Sequence, residues 1–162
     1  MNIINQYSYI LIFLGTIASI IWIARHFFRV RVAYLVGLVC IITVVFITGF
    51  VILRPGSSNV NDIQAAQAQI GNGQPTFVEF FSNYCTGCIV FEPIISDLVQ
   101  NIDAEFNVLR VDIHTQVGRG LREIYEFSFT PEFVLYDAEG NEVWRDHIPP
   151  TSNDLDAARG LN

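Results

Sequence analysis

The chain has 162 residues, 51% of them hydrophobic, and a formal net charge of −7 at pH 7. All 16 acidic residues lie within residues 56–162, whereas residues 1–55 contain four arginines and no acidic residue. The acidic second part argues against nucleic acid as a partner, because attraction to phosphates supplies most of that affinity. The hydrophobic and basic first part indicates a different kind of structure from the acidic second part.

Two apolar stretches without charge, residues 7–24 and 33–53, dominate the first part. A helix needs about 20 apolar residues to cross a bilayer, with roughly 17 as the lower limit. Residues 1–54 are therefore predicted to form a transmembrane helical hairpin in a lipid bilayer. The connecting residues 25–31 contain three arginines, and short basic loops stay in the cytoplasm. The rest of the chain is then expected on the extracytoplasmic side.

The start of the chain leaves one alternative open. A cleaved signal peptide has a basic beginning and a single apolar core, whereas residues 1–6 are uncharged and a second apolar stretch follows. Cys40 lies inside that second stretch, where a free cysteine packs as a small hydrophobic residue. Residues 55–61 are rich in turn-forming residues and lack periodicity, which predicts an exposed, flexible linker. The linker leads into a predicted domain of residues 62–162.

Helical and strand patterns alternate along this domain. Helices are predicted for residues 62–70, with Asp62 as the N-cap, for residues 85–101, with Pro93 inside, for residues 118–127 and, briefly, within 151–162. Strands are predicted for residues 76–81, 106–112, 132–136 and 141–146. The first two strands flank a helix and are expected to pair in parallel, whereas the last two form an antiparallel hairpin. The pattern predicts an α/β fold with a mixed β-sheet flanked by helices.

Two cysteines, Cys85 and Cys88, lie at the point where the first strand gives way to a helix. The unpaired N–H groups and the dipole at a helix N-terminus stabilise a thiolate at the first sulfur. We therefore predict Cys85 as the nucleophile and Cys88 as the resolving thiol. A pair with this spacing is also half of many zinc sites, and His114 and His147 would have to complete such a site.

Glu79 lies inside the otherwise apolar strand, six residues before the first cysteine. Burial of a carboxylate is costly unless the group is paired or its pKa is raised. Strand alternation would allow Glu79 to point outward, but Phe77 and Phe81 would share that face and make it a poor solvent surface. Glu79 is therefore predicted to be buried and functional, because perturbed carboxylates concentrate at functional sites.

Over residues 60–158 the sequence resembles the thioredoxin superfamily. Besides the strand that leads into the cysteine pair, Tyr84 stands directly before the first cysteine, where thioredoxins carry Trp. Pro93 matches the proline that kinks the helix in the family, and Thr130-Pro131 matches its cis-proline loop. The resemblance implies a thioredoxin-like α/β fold after the predicted membrane hairpin.

The resemblance also implies roles for further residues. The Thr130–Pro131 bond would be cis, and the backbone of Thr130 would bind an extended substrate segment; the alternative is that Pro131 merely opens a strand. Tyr84, Phe127 and Phe129 are expected to rim the site and contact substrate.

Two further positions match charged residues of the family. Glu79 takes the place of a buried aspartate, and Arg110 the place of its partner lysine. The two side chains would lie together beneath Cys88, with Glu79 as general base.

The function implied by the resemblance is that of a membrane-tethered thiol–disulfide oxidoreductase without a cofactor or metal. We expect it to reduce disulfides of extracytoplasmic proteins, including apocytochromes awaiting haem, with electrons from a membrane electron-transfer partner. Oxidation is the alternative direction, because Thr86-Gly87 replaces the Gly-Pro of thioredoxins and this dipeptide tunes the reduction potential. A non-catalytic module that binds or chaperones a membrane partner is the alternative from another class.

Overall fold

The computed structural model describes residues 3–28, 30–127 and 129–161. Arg29, one of the three arginines of the predicted cytoplasmic loop, lies outside the described residues. The N-terminal part consists of a short helix α1 (Ile3–Gln6) and two long helices, α2 (Ser8–Ile23) and α3 (Val32–Leu53). A π-helical stretch (Ala24–Phe28) extends α2 to Phe28, so the helix continues into the predicted connecting segment of residues 25–31.

The two long apolar helices, Ser8–Phe28 with its π-helical end and α3, have the length and composition to cross a membrane. No residue of α2 or α3 is buried in the protein itself. The two helices meet through aromatic side chains, because the rings of Tyr9 and Phe13 both contact Phe46. The Tyr9 hydroxyl also donates a hydrogen bond to the Phe46 carbonyl at 2.5 Å. The two apolar helices therefore form a paired hairpin with an exposed apolar surface.

The second part of the chain folds as the predicted α/β domain. Its helices are α4 (Ile63–Gln69), α5 (Thr86–Ile102), α6 (Gln116–Tyr125) and α7 (Ser152–Ala158). Its strands are β1 (Thr76–Phe81), β2 (Asn107–Asp112), β3 (Glu132–Tyr136) and β4 (Glu142–Asp146). The sheet order is β2-β1-β3-β4, with β1 parallel to β2 and antiparallel to β3, and β3 antiparallel to β4. The mixed sheet predicted from the sequence is confirmed.

A hydrophobic core lies on each face of the sheet. One core joins Val78 and Phe80 of β1 to Leu121 of α6, and the other joins Phe77 of β1 to Ile95 of α5 and Leu155 of α7. Every residue of β1 is buried, because a central strand covered on both faces is shielded from solvent. The strand that leads to the cysteine pair is therefore enclosed on both faces, as is β3, in which every residue is also buried.

Helix α6 begins two residues earlier than the predicted start at residue 118. The Thr115 side chain caps the helix by accepting a hydrogen bond from the N–H of Gly118 at 2.9 Å. Gly118 packs so closely that a Cβ atom there would lie 2.1 Å from the Asp112 carbonyl oxygen. Phe127 lies beyond the end of α6 and is buried against Phe80, so the expectation that it rims the site is wrong.

The predicted linker, residues 55–61, lies against the domain. Asn59 pairs with the outer edge of β2, since its N–H donates to the Arg110 carbonyl and its side-chain oxygen accepts from the Arg110 N–H. Pro55 and Val60 are buried. The prediction of an exposed linker is therefore wrong for these residues, because the free edge of β2 supplies hydrogen-bond partners that no local sequence pattern reveals.

Candidate active site

The cysteine pair lies at the junction of β1 and α5, as predicted. Cys85 is the N-cap of α5, and its thiol donates a hydrogen bond to the Thr130 carbonyl at 3.2 Å. The Cys88 sulfur accepts a hydrogen bond from the Ser82 N–H at 3.5 Å. Both cysteines are only 1% exposed, so other parts of the chain cover the two sulfur atoms.

The two thiols have opposite acidities. A hydrogen bond from the Cys88 thiol lowers the pKa of Cys85, with further stabilisation from backbone N–H groups at the start of α5. Burial raises the pKa of Cys88, and the charge of Glu79 raises it further. A pair that shares one proton therefore carries its negative charge on Cys85 and its proton on Cys88.

The loop before β3 faces the cysteine pair. The Thr130–Pro131 peptide bond is cis, as the sequence predicts, and Thr130 is buried. A Cβ atom on Gly87 would lie 3.0 Å from Cδ of Pro131, so the close approach of the two segments favours glycine between the cysteines. His147 also contacts this loop, because its Nδ1 atom lies 2.8 Å from the Pro131 carbonyl oxygen.

Tyr84 and Phe129, predicted at the rim of the site, are both partly exposed. The Tyr84 ring stacks on Phe50 of α3, and the Phe129 ring stacks on His147 with ring centroids 3.6 Å apart. Tyr84 therefore joins the cysteine loop to the apolar hairpin, an arrangement that the sequence does not reveal.

A buried charge cluster lies on the α5 side of the sheet. Glu79 and Arg110 are register partners in the parallel pair of β1 and β2, and Nε of Arg110 lies 2.5 Å from the Glu79 carboxylate. Arg110 also donates to both oxygens of Glu92, at 2.5 and 3.2 Å. The prediction that Glu79 is buried beside Arg110 is confirmed.

Burial raises the pKa of Glu79 to about 7, against the opposing effect of the Arg110 charge and with a smaller contribution from Glu92. A carboxyl group with this pKa exchanges its proton near neutral pH. Glu92 is not among the site residues predicted from the sequence, although it lies four residues after Cys88 and thus on the same face of α5.

The histidines required by the zinc alternative have other partners. Nε2 of His114 lies 2.8 Å from the Ser82 hydroxyl, and His147 binds the Pro131 carbonyl. Within the part of the chain that the structure describes, no three His, Cys, Asp or Glu side chains lie close enough to hold a metal ion.

A dithiol at the N-terminus of a helix, opposite a cis-proline loop on a mixed sheet, defines a thioredoxin-like site. The sequence pattern of the thioredoxin family matches residues 59–152, more than half of the chain. The chain belongs to the thioredoxin family.

Curated relatives match part of the chain. The thiol:disulfide interchange protein TxlA homolog of Synechocystis is 33% identical over 76 residues, which cover 46% of this chain and 41% of the relative. The chloroplastic thioredoxin-like protein HCF164 of Arabidopsis thaliana is 29% identical over 75 residues, covering 45% of this chain and 28% of the relative. The chain thus matches less than half the length of these relatives.

Solved thioredoxins are similar over the domain. Thioredoxin O2 of Arabidopsis thaliana aligns with a TM-score of 0.49 and 13% identity, covering 63% of this chain and 90% of that structure. A thioredoxin of Thermus thermophilus aligns with a TM-score of 0.46 and 25% identity, covering 60% of this chain and 81% of that structure.

Proposed function

We propose that this protein is a thiol–disulfide oxidoreductase that exchanges disulfides with protein substrates through Cys85 and Cys88. The observation that carries this proposal is the cysteine pair at the start of α5, facing the cis-proline loop. The hydrogen bond from Cys88 and the position at the helix N-terminus lower the pKa of Cys85 and so supply the thiolate that attacks. The name of the Synechocystis relative, a thiol:disulfide interchange protein, supports the same chemistry.

The reaction proceeds in two exchanges. The Cys85 thiolate attacks one sulfur of a substrate disulfide, forms a mixed disulfide and releases the other substrate sulfur as a thiolate. Cys88 then loses its proton and attacks the Cys85 sulfur, which releases the second substrate sulfur. The substrate gains two electrons and becomes a dithiol, and Cys85 and Cys88 become a disulfide. The reverse sequence donates a disulfide.

Glu79 acts as the base that takes the proton of Cys88 in the second exchange. Its charge influences Cys88, and its pKa of about 7 allows it to hold and release a proton at neutral pH. Arg110 positions the carboxylate through the ion pair at 2.5 Å. This pair favours the reducing direction, since it takes the place of the proton-transfer pair of thioredoxins.

Helices α2 and α3 cross the membrane in this proposal, with residues 25–31 in the cytoplasm and residues 62–162 outside it. The Tyr84 ring stacks on Phe50 with centroids 5.9 Å apart, so the cysteine pair lies beside the end of the apolar hairpin. This position suits a membrane electron-transfer partner that supplies reducing equivalents, and substrates such as apocytochromes that are handled near the membrane.

The reduction potential of the full chain in detergent micelles tests the proposal. Equilibration in glutathione or dithiothreitol buffers is expected to give about −250 mV or lower, as for a reductase, and Cys85→Ser is expected to abolish the couple. A value near about −120 mV would reverse the proposed direction. The lack of any reversible couple would favour the non-catalytic binding module.

Topology is tested separately, in intact cells. A membrane-impermeant thiol reagent applied from outside is expected to label a cysteine placed at exposed Asn153 and to spare one placed at Arg25. Labelling in the opposite pattern would place residues 62–162 in the cytoplasm and overturn the proposed localisation.

A further inference from the structure

The N-terminal segment of the chain, residues 3–9, lies over the cysteine pair and the cis-proline loop. The side-chain amide of Asn5 donates from Nδ2 to the Thr130 carbonyl at 2.8 Å, and its oxygen accepts from the Thr130 N–H at 3.0 Å. The Thr130 hydroxyl donates to the same oxygen at 3.1 Å. A carboxamide carries one donor group and one acceptor side by side, like the N–H and C=O groups that a neighbouring strand would present.

Three further hydrogen bonds fix the segment on the side of the cysteine loop. The Ser82 hydroxyl donates to the Gln6 carbonyl at 3.1 Å. The Thr86 N–H, which opens α5, donates to the Ser8 hydroxyl at 2.9 Å, and the Tyr9 N–H donates to the Tyr84 carbonyl at 3.0 Å. These contacts use backbone and side-chain groups on both sides of Cys85.

Aromatic packing completes the cover. The Tyr7 ring stacks on Tyr84 with ring centroids 5.7 Å apart and an interplanar angle of 20°, and it also contacts His114. Gln6, which belongs to this segment, is itself buried. The result is a Cys85 thiol that is 1% exposed, although a nucleophile must meet the sulfur of its substrate directly.

We infer that the surface formed by Thr130, Ser82 and residues 84–86 is a polypeptide-docking surface whose internal occupant is residues 3–9, and that substrate binds by replacing this segment. The inference rests on the proposed function and deepens it. The partner that fits is a polypeptide presenting a peptide group or carboxamide to Thr130, in the place of Asn5. Ser8 is the first residue of α2, so the replacement of the segment takes place beside the end of the apolar hairpin. The substrate cysteines must therefore reach this end of the hairpin.

The test compares Asn5→Ala with Asn153→Ala in the reduced full chain in detergent micelles, both with Cys40→Ser. Asn153 is an exposed asparagine of α7 and serves as the matched control. The first readout is the rate of alkylation of Cys85 by iodoacetamide, measured by mass spectrometry at a pH where Cys85 is fully ionised. The second readout is the rate of insulin disulfide reduction with dithiothreitol as the electron source.

Removal of the Asn5 hydrogen bonds is expected to raise the alkylation rate of Cys85 about tenfold, because the loss of these contacts favours the open state. Asn153→Ala is expected to leave it unchanged. A second variant, Ser8→Ala, removes one contact and is expected to act in the same direction with a smaller effect.

The two readouts separate the inference from the proposed function. Equal alkylation rates in Asn5→Ala, Ser8→Ala and the parent would overturn the inference, even if insulin is reduced. Faster alkylation in Asn5→Ala without insulin reduction in any variant would support the internal occupant and contradict the proposed activity. Faster alkylation together with faster insulin reduction is the result expected if both the inference and the proposed function are correct.

Discussion

The sheet carries two charge clusters of the same composition at different depths, each with a buried glutamate, an arginine and an outer glutamate. In the β1–β2 cluster, Arg110 donates from Nε to the buried Glu79 and uses both Nη atoms for Glu92. Arg110 and Glu92 are 16% and 15% exposed. Helix α5 and the sheet therefore enclose all three charges.

The β3–β4 cluster repeats this arrangement near the opposite edge of the sheet. Arg145 donates from Nη1 to the buried Glu132 and pairs with both oxygens of Glu142. Here the arginine is 28% exposed and the outer glutamate 40% exposed. Water therefore screens this cluster more than the β1–β2 cluster, and exposed ion pairs contribute little to stability.

Burial depth, rather than residue composition, makes such a cluster suited to proton transfer. The interaction of two charges strengthens as the surrounding dielectric falls, so enclosure raises both the cost of an unpaired charge and the sensitivity of a pKa to its neighbours. Only the β1–β2 cluster combines this enclosure with a carboxyl group that influences Cys88.

The largest expected difference between the clusters is in stability. Arg110→Met leaves Glu79 without its cation and is expected to lower the free energy of unfolding by about 3–5 kcal/mol. Arg145→Met, in the more hydrated cluster, is expected to cost about 1–2 kcal/mol. Urea unfolding measures the two losses of free energy. Both variants also carry Trp22→Phe, so that the tryptophan fluorescence comes from Trp144 alone. Equal losses would show that depth does not distinguish the clusters.

The next difference is in the pH dependence of the second exchange. Since burial raises the pKa of Glu79 to about 7, the carboxyl group is protonated below pH 7 and accepts a proton only above it. The rate should therefore rise through pH 7 in the parent. Glu79→Gln should be slower by about 10- to 100-fold above pH 7 and lack this inflection.

A mixed disulfide of Cys85 with thionitrobenzoate provides the measurement, because its resolution by Cys88 releases a coloured thiolate. Glu132→Gln is the matched control, since it neutralises the buried glutamate of the β3–β4 cluster. This control should retain the inflection of the parent. If Glu79→Gln retains it as well, another group takes the proton of Cys88.

Much of the site could be predicted because its determinants are local. An acidic residue within the apolar run of β1 indicates a buried carboxylate, and the spacing of Cys85 and Cys88 at a strand–helix junction indicates the dithiol. The pairing of Glu79 with Arg110 is implied by the resemblance to thioredoxins, and the parallel register of β1 and β2 places the two residues opposite each other.

The cover of the site could not be predicted, because its contacts join distant parts of the chain. Asn5 and Thr130 are 125 positions apart, and neither the short helix α1 nor the apolar pattern of α2 indicates a contact with a loop before β3. Val60 is likewise buried in a core that includes Leu109 and Val111 of β2, which is distant from it in the sequence. Glu92 is a different case, since the sequence shows its helical spacing from Cys88 but does not show that its partner is Arg110 of β2.

The smallest expected difference concerns the outer glutamates. The charge of Glu92 raises the pKa of Glu79, so Glu92→Gln should move the inflection of the second exchange below pH 7 without abolishing it. The variant also frees the Nη groups of Arg110 for Glu79, which acts in the same direction. Glu142→Gln removes the same charge from the β3–β4 cluster and should leave the profile unchanged.

The pH profile of thionitrobenzoate release measures this shift as well. An unchanged or higher inflection in Glu92→Gln would mean that Glu92 acts on Glu79 neither through its charge nor through the shared guanidinium. A shift in both variants would indicate a general effect of net charge on the domain. A shift in Glu92→Gln alone would assign the effect to the enclosed cluster, because the two substitutions are chemically identical and differ only in where the lost charge was held.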